Sequence, residues 1–133
     1  MLFRSYAYLK ALGAQGVREA CQLAVLNANY VRVMLRDVYR VAYDRLCKHE
    51  FVCSTTQTME DNGVGATDIC KRLLDYGYHP PTVHFPLIVH EALMIEPTET
   101  ESKARLDAFI DAMKAIAVES VQTPEQLSLI HIL

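Results

Sequence analysis

The sequence predicts an α+β fold, a short antiparallel sheet with helices packed on one face. Three observations carry that expectation. Apolar residues recur at helical spacing in three separate stretches. Short strand-like runs lie between them. The connections between adjacent strands look short, which favours antiparallel pairing. The order helix, strands, helix, strands, helix is that of a two-layer unit.

The first segment, Tyr6 to Leu12, reads as the end of a helix, punctuated by Gly13 and Gly16. A long amphipathic helix follows, with Val17, Ala20, Cys21, Ala24, Val25, Ala28, Val31 and Leu35 on one stripe. About 20 residues at 1.5 Å each make a rod of roughly 30 Å. Val38 to Tyr43 alternates like a strand, and His49 to Ser54 carries Phe51 and Val52. Asp61-Asn62-Gly63 is a turn signal. Thr67 and Asp68 can cap or charge a short helix bearing Ile69, Cys70, Leu73 and Leu74. Gly77 suits the left-handed residue that closes it, and Pro80-Pro81 prevents its resumption. Pro81 to Phe85 and Ala92 to Ile95 read as short strands, with Pro86 in an edge, bulge or loop between them. Thr98 and Glu101 have capping-box spacing. They predict the start of a last helix carrying Leu106, Phe109, Ile110, Met113, Ile116 and Ala117 on one face. An alanine at Thr98 is then expected to cost about 1 kcal/mol.

Composition narrows the function. The 133 residues include 13 Lys+Arg and 16 Asp+Glu, a formal net charge of −3. Such a chain lacks the dense positive stripe that phosphate backbones require, so no nucleic-acid partner is expected. Hydrophobic residues make up 51% and charged residues 22%, which argues for a folded core and against disorder. No apolar run approaches the roughly 18–20 residues of a membrane span, and no signal peptide is evident. The expected location is therefore cytoplasmic, with Cys21, Cys47, Cys53 and Cys70 as reduced thiols.

Candidate chemistry is sparse. Cys47, His49 and Cys53 share a strand face, but alternate residues lie roughly 6.6 Å apart. Two sulfurs on one zinc must lie within about 4 Å of each other, so a regular strand excludes a shared ion and no metal site is expected. His79 and His84 are five apart and point to opposite faces of an extended segment, with His90 further on. Spacing alone favours a structural role for His79. Its place between Gly77 and Pro80-Pro81 nevertheless fixes it at the end of an element, where functional groups are common. Glu96, Thr98, Glu99 and Glu101 read as strand-end and cap structure. Asn27 and Asn29 interrupt a good helix at some cost in propensity. No reaction follows from these patterns alone.

Four blocks carry more. They are Ala24-Val25-Leu26-Asn27-Ala28-Asn29-Tyr30, the stretch from Lys71 to Thr82, Phe85-Pro86-Leu87-Ile88-Val89, and the stretch from Glu91 to Glu101. With His49-Glu50-Phe51, they resemble the carboxy-terminal part of glycine dehydrogenase (decarboxylating), the P-protein of the glycine cleavage system, and most of all its separate subunit 2. The resemblance covers roughly Leu2 to Ser120. It implies the small C-terminal domain of a fold-type I (aspartate aminotransferase-like) enzyme of glycine catabolism. Such an enzyme uses pyridoxal 5'-phosphate to decarboxylate glycine and passes the aminomethyl group to the lipoyl arm of the H-protein.

The resemblance also implies an incomplete enzyme. The large domain, with the lysine that holds the cofactor as a Schiff base, precedes these blocks in the complete subunit, and none of the five lysines here corresponds to it. Residues 1–120 would form the small domain, 1–12 ending a connecting helix. Residues 121–133 do not continue the likeness, and 128–133 read as a truncated reading frame. The implied partners are glycine, the lipoyl H-protein, P-protein subunit 1 and the large domain. Tight cofactor binding and activity are not expected of the chain alone. His79 and Thr82 are the candidates for the substrate cleft, with His49 a third. The alternative is a free-standing α+β binding or regulatory module without catalysis.

Overall fold

The computed structural model describes residues 2–129. Its elements run α1 (Leu2–Leu35), β1 (Arg40–Val41), β2 (Phe51–Ser54), α2 (Thr56–Asn62), α3 (Ala66–Asp75), β3 (Thr82–Val83), β4 (Ala92–Ile95), α4 (Lys103–Gln122) and α5 (Pro124–Leu129). The four strands form one antiparallel sheet in the order β1-β2-β4-β3.

Register sorts the sheet into two faces. Phe51 pairs with Ile95, Cys53 with Leu93, Val41 with Cys53 and Val83 with Leu93. Because side chains alternate along a strand, these residues share one face. That face meets the core formed with Val31 and Leu35 of α1, Ile69 and Leu73 of α3, and Ile110, Met113 and Ile116 of α4. Val52, Met94 and Thr82 lie on the opposite face, where Val52 and Met94 are half-buried and Thr82 is exposed. The α+β expectation, with helices on one sheet face, holds.

Several local expectations change. The break expected at Gly13 is present, for α1 is two helices meeting at a kink there (φ 61°, ψ −177°), but Gly16 does not interrupt it and lies inside the second helix. The apolar stripe buries only in its last two turns, at Ala28, Val31 and Leu35. Cys21 and Val25 are exposed, while Asn27 and Arg32 are buried, Arg32 against Asp44. Helix α2 was not anticipated: it has no buried residue and hence no stripe to read. Asn62-Gly63 is its end, with Gly63 left-handed at φ 72°.

Helix α3 begins after Gly65, whose N–H donates to the Asp68 carboxylate at 2.9 Å, so Asp68 and not Thr67 closes the first turn. It ends as expected at Gly77 (φ 79°). The Tyr78 N–H donates to the Leu73 carbonyl and the Gly77 N–H to the Leu74 carbonyl, the Schellman pattern. The capping-box expectation at Thr98 is overturned. Residues 98–101 form a turn closed by the Glu101 N–H on the Thr98 carbonyl (3.3 Å). The cap of α4 is Ser102, whose hydroxyl accepts from the Arg105 N–H at 3.3 Å. At the other end of the chain, α5 falls in the segment set apart as a tail, and its Leu127 is buried in the core.

Candidate functional site

The turn that closes α3 builds the first cleft. Gly77 reverses the chain, and Pro80-Pro81 hold it extended into β3. The Cys70 thiol supports this segment from beneath by donating to the Pro81 carbonyl at 3.7 Å. The cleft has a volume of about 370 Å³. Its apolar part is Met94 and Ile95 of β4, Leu106, and the Tyr78–Phe109 pair, whose rings meet edge-on at 5.4 Å. Its polar groups are His79, Thr82, Glu96, Glu101 and Arg105. The Arg105 Nε donates to Glu101 at 2.8 Å.

The opposite wall, residues 96–101, is fastened by α1. The buried Asn27 donates through Nδ2 to the carbonyls of Thr98 (2.9 Å) and Glu101 (3.4 Å). Two residues on, Asn29 donates to the Cys47 carbonyl at 2.8 Å and accepts from the Cys47 N–H at 3.1 Å. The two asparagines that cost α1 propensity therefore fix two loops.

The second loop carries His49, which lies in a different cleft, also of about 370 Å³. That cleft runs along Ala20, Cys21, Ala24 and Val25 of α1 and is closed by Lys48, Glu96 to Glu99 and Tyr8. His49 Nε2 is 3.6 Å from Glu96 and 3.9 Å from Glu50, ion-pairing distance for a protonated ring. The Tyr8 hydroxyl donates to Glu99 at 2.6 Å, and this bond holds the Glu99 carboxyl below its ordinary range. The fold thus brings His79 and Thr82 together and keeps His49 apart from them. Glu96, Pro97 and Thr98 border both clefts. His84 is elsewhere, 3.2 Å from the Thr67 hydroxyl.

A family model described as glycine dehydrogenase, C-terminal domain, matches residues 20–128. The chain belongs to the glycine dehydrogenase C-terminal domain family. The probable glycine dehydrogenase (decarboxylating) subunit 2 of Fervidobacterium nodosum is 54% identical over 125 residues, covering 94% of this chain and 26% of that protein. The counterpart of the same name in Bacillus velezensis is 56% identical over 122 residues, covering 92% of this chain and 25% of that protein. The chain spans about a quarter of the length of these curated relatives. The fold is shared with a crystal structure of glycine decarboxylase (P-protein) of the glycine cleavage system in inhibitor-bound form. There the TM-score is 0.70 at 22% identity, over 83% of this chain and 24% of that one.

Among the described residues, the glycine dehydrogenase domain does not by itself fit pyridoxal phosphate. No lysine lines the first cleft. Lys48, at the second, is exposed, whereas a Schiff-base amine needs a desolvated pocket. A helix N-terminus that could cradle phosphate is taken at α3: Asp68 accepts from Gly65 and Glu91 accepts from the Ala66 N–H at 2.6 Å. In the first cleft, Glu96 and Glu101 repel an anion, and the one arginine is already paired. A thiol nucleophile is not available from the core, since burial pushes Cys53 and Cys70 up to about 12. What the first cleft offers is a wall: an imidazole and a hydroxyl on a rigid segment, facing an apolar floor.

Sequence reasoning singled out His79 through the fixed turn and named Thr82 only through the resemblance. It undervalued Glu96 and missed Asn27, Asn29 and Arg105 as parts of the site. The asparagines' partners lie 71, 74 and 18 residues away, so no local pattern announces them.

Proposed function

We propose that the chain is the small C-terminal domain of a pyridoxal-phosphate-dependent glycine decarboxylase, and that it supplies one wall of the reaction chamber. Its body runs past residue 120 through α5, whose Leu127 is buried in the core, and residues 1–12 end a helix that connects to the preceding domain. The kink at Gly13 is consistent with that division. When bound in the whole enzyme, the cofactor would supply an electron sink for the decarboxylation of glycine, and the lipoyl arm of the H-protein would receive the aminomethyl group. Subunit 1 and the large domain complete the assembly, and the lysine belongs to the large domain.

The observation that carries this reading is the pairing of His79 and Thr82 in one cleft of a domain belonging to the glycine dehydrogenase family. In the proposed enzyme His79 can hold or pass a proton at the substrate's reacting end, and the Thr82 hydroxyl orients a polar group of the substrate. Met94, Leu106 and Phe109 keep water from that side of the chamber. His49, in the second cleft, is assigned a supporting part through Glu96.

The test is alanine replacement at the positions of His79 and Thr82 in a full-length subunit 2 relative assembled with its partners. Glycine-dependent CO2 release should fall roughly 100-fold for the histidine, the usual scale for a lost acid–base group. Unchanged turnover in both variants contradicts the assignment.

A further inference from the structure

The loop at residues 84–91, between β3 and β4, lines neither cleft, yet it is built with care at both ends. His84 and Glu91 have positive φ (55° and 48°), a region that residues with side chains adopt only where their surroundings enforce it. The His84 N–H donates to the Ala92 carbonyl at 2.9 Å. Glu91 reaches the start of α3, accepting from the Ala66 N–H at 2.6 Å, and a Cβ on Gly65 would lie 2.7 Å from its oxygen. The hydroxyls of Ser54 and Thr56 donate to the His90 carbonyl at 2.8 and 3.0 Å.

Between these anchors the tip presents Phe85, Leu87 and Ile88, which are 53%, 87% and 81% exposed. Residues 85–89 carry no charge. An apolar tip on a fixed base is preorganised for docking, because little order remains to be imposed on binding.

The size of the tip selects its occupant. Three such side chains present a few hundred Å². Each partner of a stable, separately diffusing complex commits roughly 800 Å². A patch this small is enough when its occupant is tethered in the same polypeptide, where the effective concentration is high. The curated relatives supply such a tether, since about three-quarters of their length lies outside the region matched here.

We infer that the 84–91 loop is a docking knob for the remainder of a longer subunit, received in an apolar socket on that portion. The inference rests on the reading of this chain as part of such a subunit. It concerns assembly and leaves the chemistry of the first cleft aside.

The test introduces Leu87→Asp with Ile88→Asp into this 133-residue chain, and at the aligned positions of a full-length subunit 2 relative. In the chain alone the melting temperature should be unchanged, because the side chains stand in solvent. In the full-length protein it should fall by several degrees, with faster proteolysis between the two parts. The milder Leu87→Ser should give a smaller shift in the same direction. Equal tolerance in both proteins overturns the inference. So does a change from dimer to monomer in the variant chain, which would make the occupant a second copy. Loss of binding to phosphatidylcholine vesicles would make it a membrane and overturns it likewise. Unfolding requires neither glycine nor cofactor, so failure of the catalytic assignment at His79 and failure here are separately visible.

Discussion

Thr98 and Ser102 illustrate how a local motif and its actual geometry part. The Thr-x-x-Glu spacing of Thr98 and Glu101 is that of a helix cap, but the turn at 98–101 precedes the helix. Among the described residues, the Thr98 hydroxyl bonds only to the neighbouring Thr100 hydroxyl, at 2.7 Å on the surface. Its backbone carbonyl, which any residue supplies, receives Asn27. Thr98→Ala should therefore change stability by less than about 0.5 kcal/mol, the range of an unremarkable surface position. Ser102→Ala should cost about 1 kcal/mol through loss of the cap. Urea titrations of the two variants decide between them: an equal loss, or a larger one at Thr98, contradicts the assignment. At this scale the sequence revealed features fixed by immediate neighbours, such as the left-handed Gly77 that closes α3. It concealed Asn27 and Asn29, whose value depends on loops distant in the chain.

At the scale of elements, α3 and α4 are joined by a polar clamp outside the core. Arg72 donates to Glu119 through Nε at 2.8 Å and Nη2 at 3.2 Å, and the Tyr76 hydroxyl donates to the same carboxylate at 2.7 Å. Arg72 also bonds Asp75 at 3.1 Å. The Arg72 hydrogen bonds hold the Glu119 carboxyl below its ordinary range, Tyr76 adds to the effect, and burial opposes it. The folded state thus binds the Glu119 proton less readily than the unfolded chain. The resulting stabilisation is fully present above the unfolded value, about 4.3, and is lost as pH falls through the depressed folded value. Glu119→Gln should lower stability by about 1 kcal/mol at neutral pH, a figure that allows for partial solvent screening. The gap from the unsubstituted protein should close below pH 4. A gap that persists or widens in acid contradicts the clamp.

The same scale explains which elements were legible. Helices α3 and α4 bury a clear stripe, and β2 and β4 pair centrally, so periodicity marks them. Helix α2 buries nothing and shows no period. The first part of α1 is exposed at Leu2, Phe3, Tyr6 and Leu9, so no buried stripe announces it, while the non-helical Gly13 (φ 61°) marks where it ends.

Over the whole molecule, the exposed residues are as informative as the core. No described helix is long and apolar enough to cross a membrane. Yet large apolar side chains stand in solvent at the start of α1 and at the 84–91 tip. The first cleft, meanwhile, brings His79 and Thr82 together, and among the described residues no lysine lines it. Both features agree with a domain shaped to work against further polypeptide. The family and the fold were readable because long blocks of sequence stand in a fixed order. The division of labour between the two clefts was not readable, because it is set where the 96–101 wall crosses between them.

The most direct test of the central claim mixes the purified 133-residue chain with pyridoxal phosphate and then glycine. Visible absorbance and released CO2 are followed together. A chain that forms one wall and lacks the cofactor lysine gives no saturable Schiff-base band and no CO2 above the protein-free control. Stoichiometric formation of that band, with glycine-dependent CO2 release, would contradict the account.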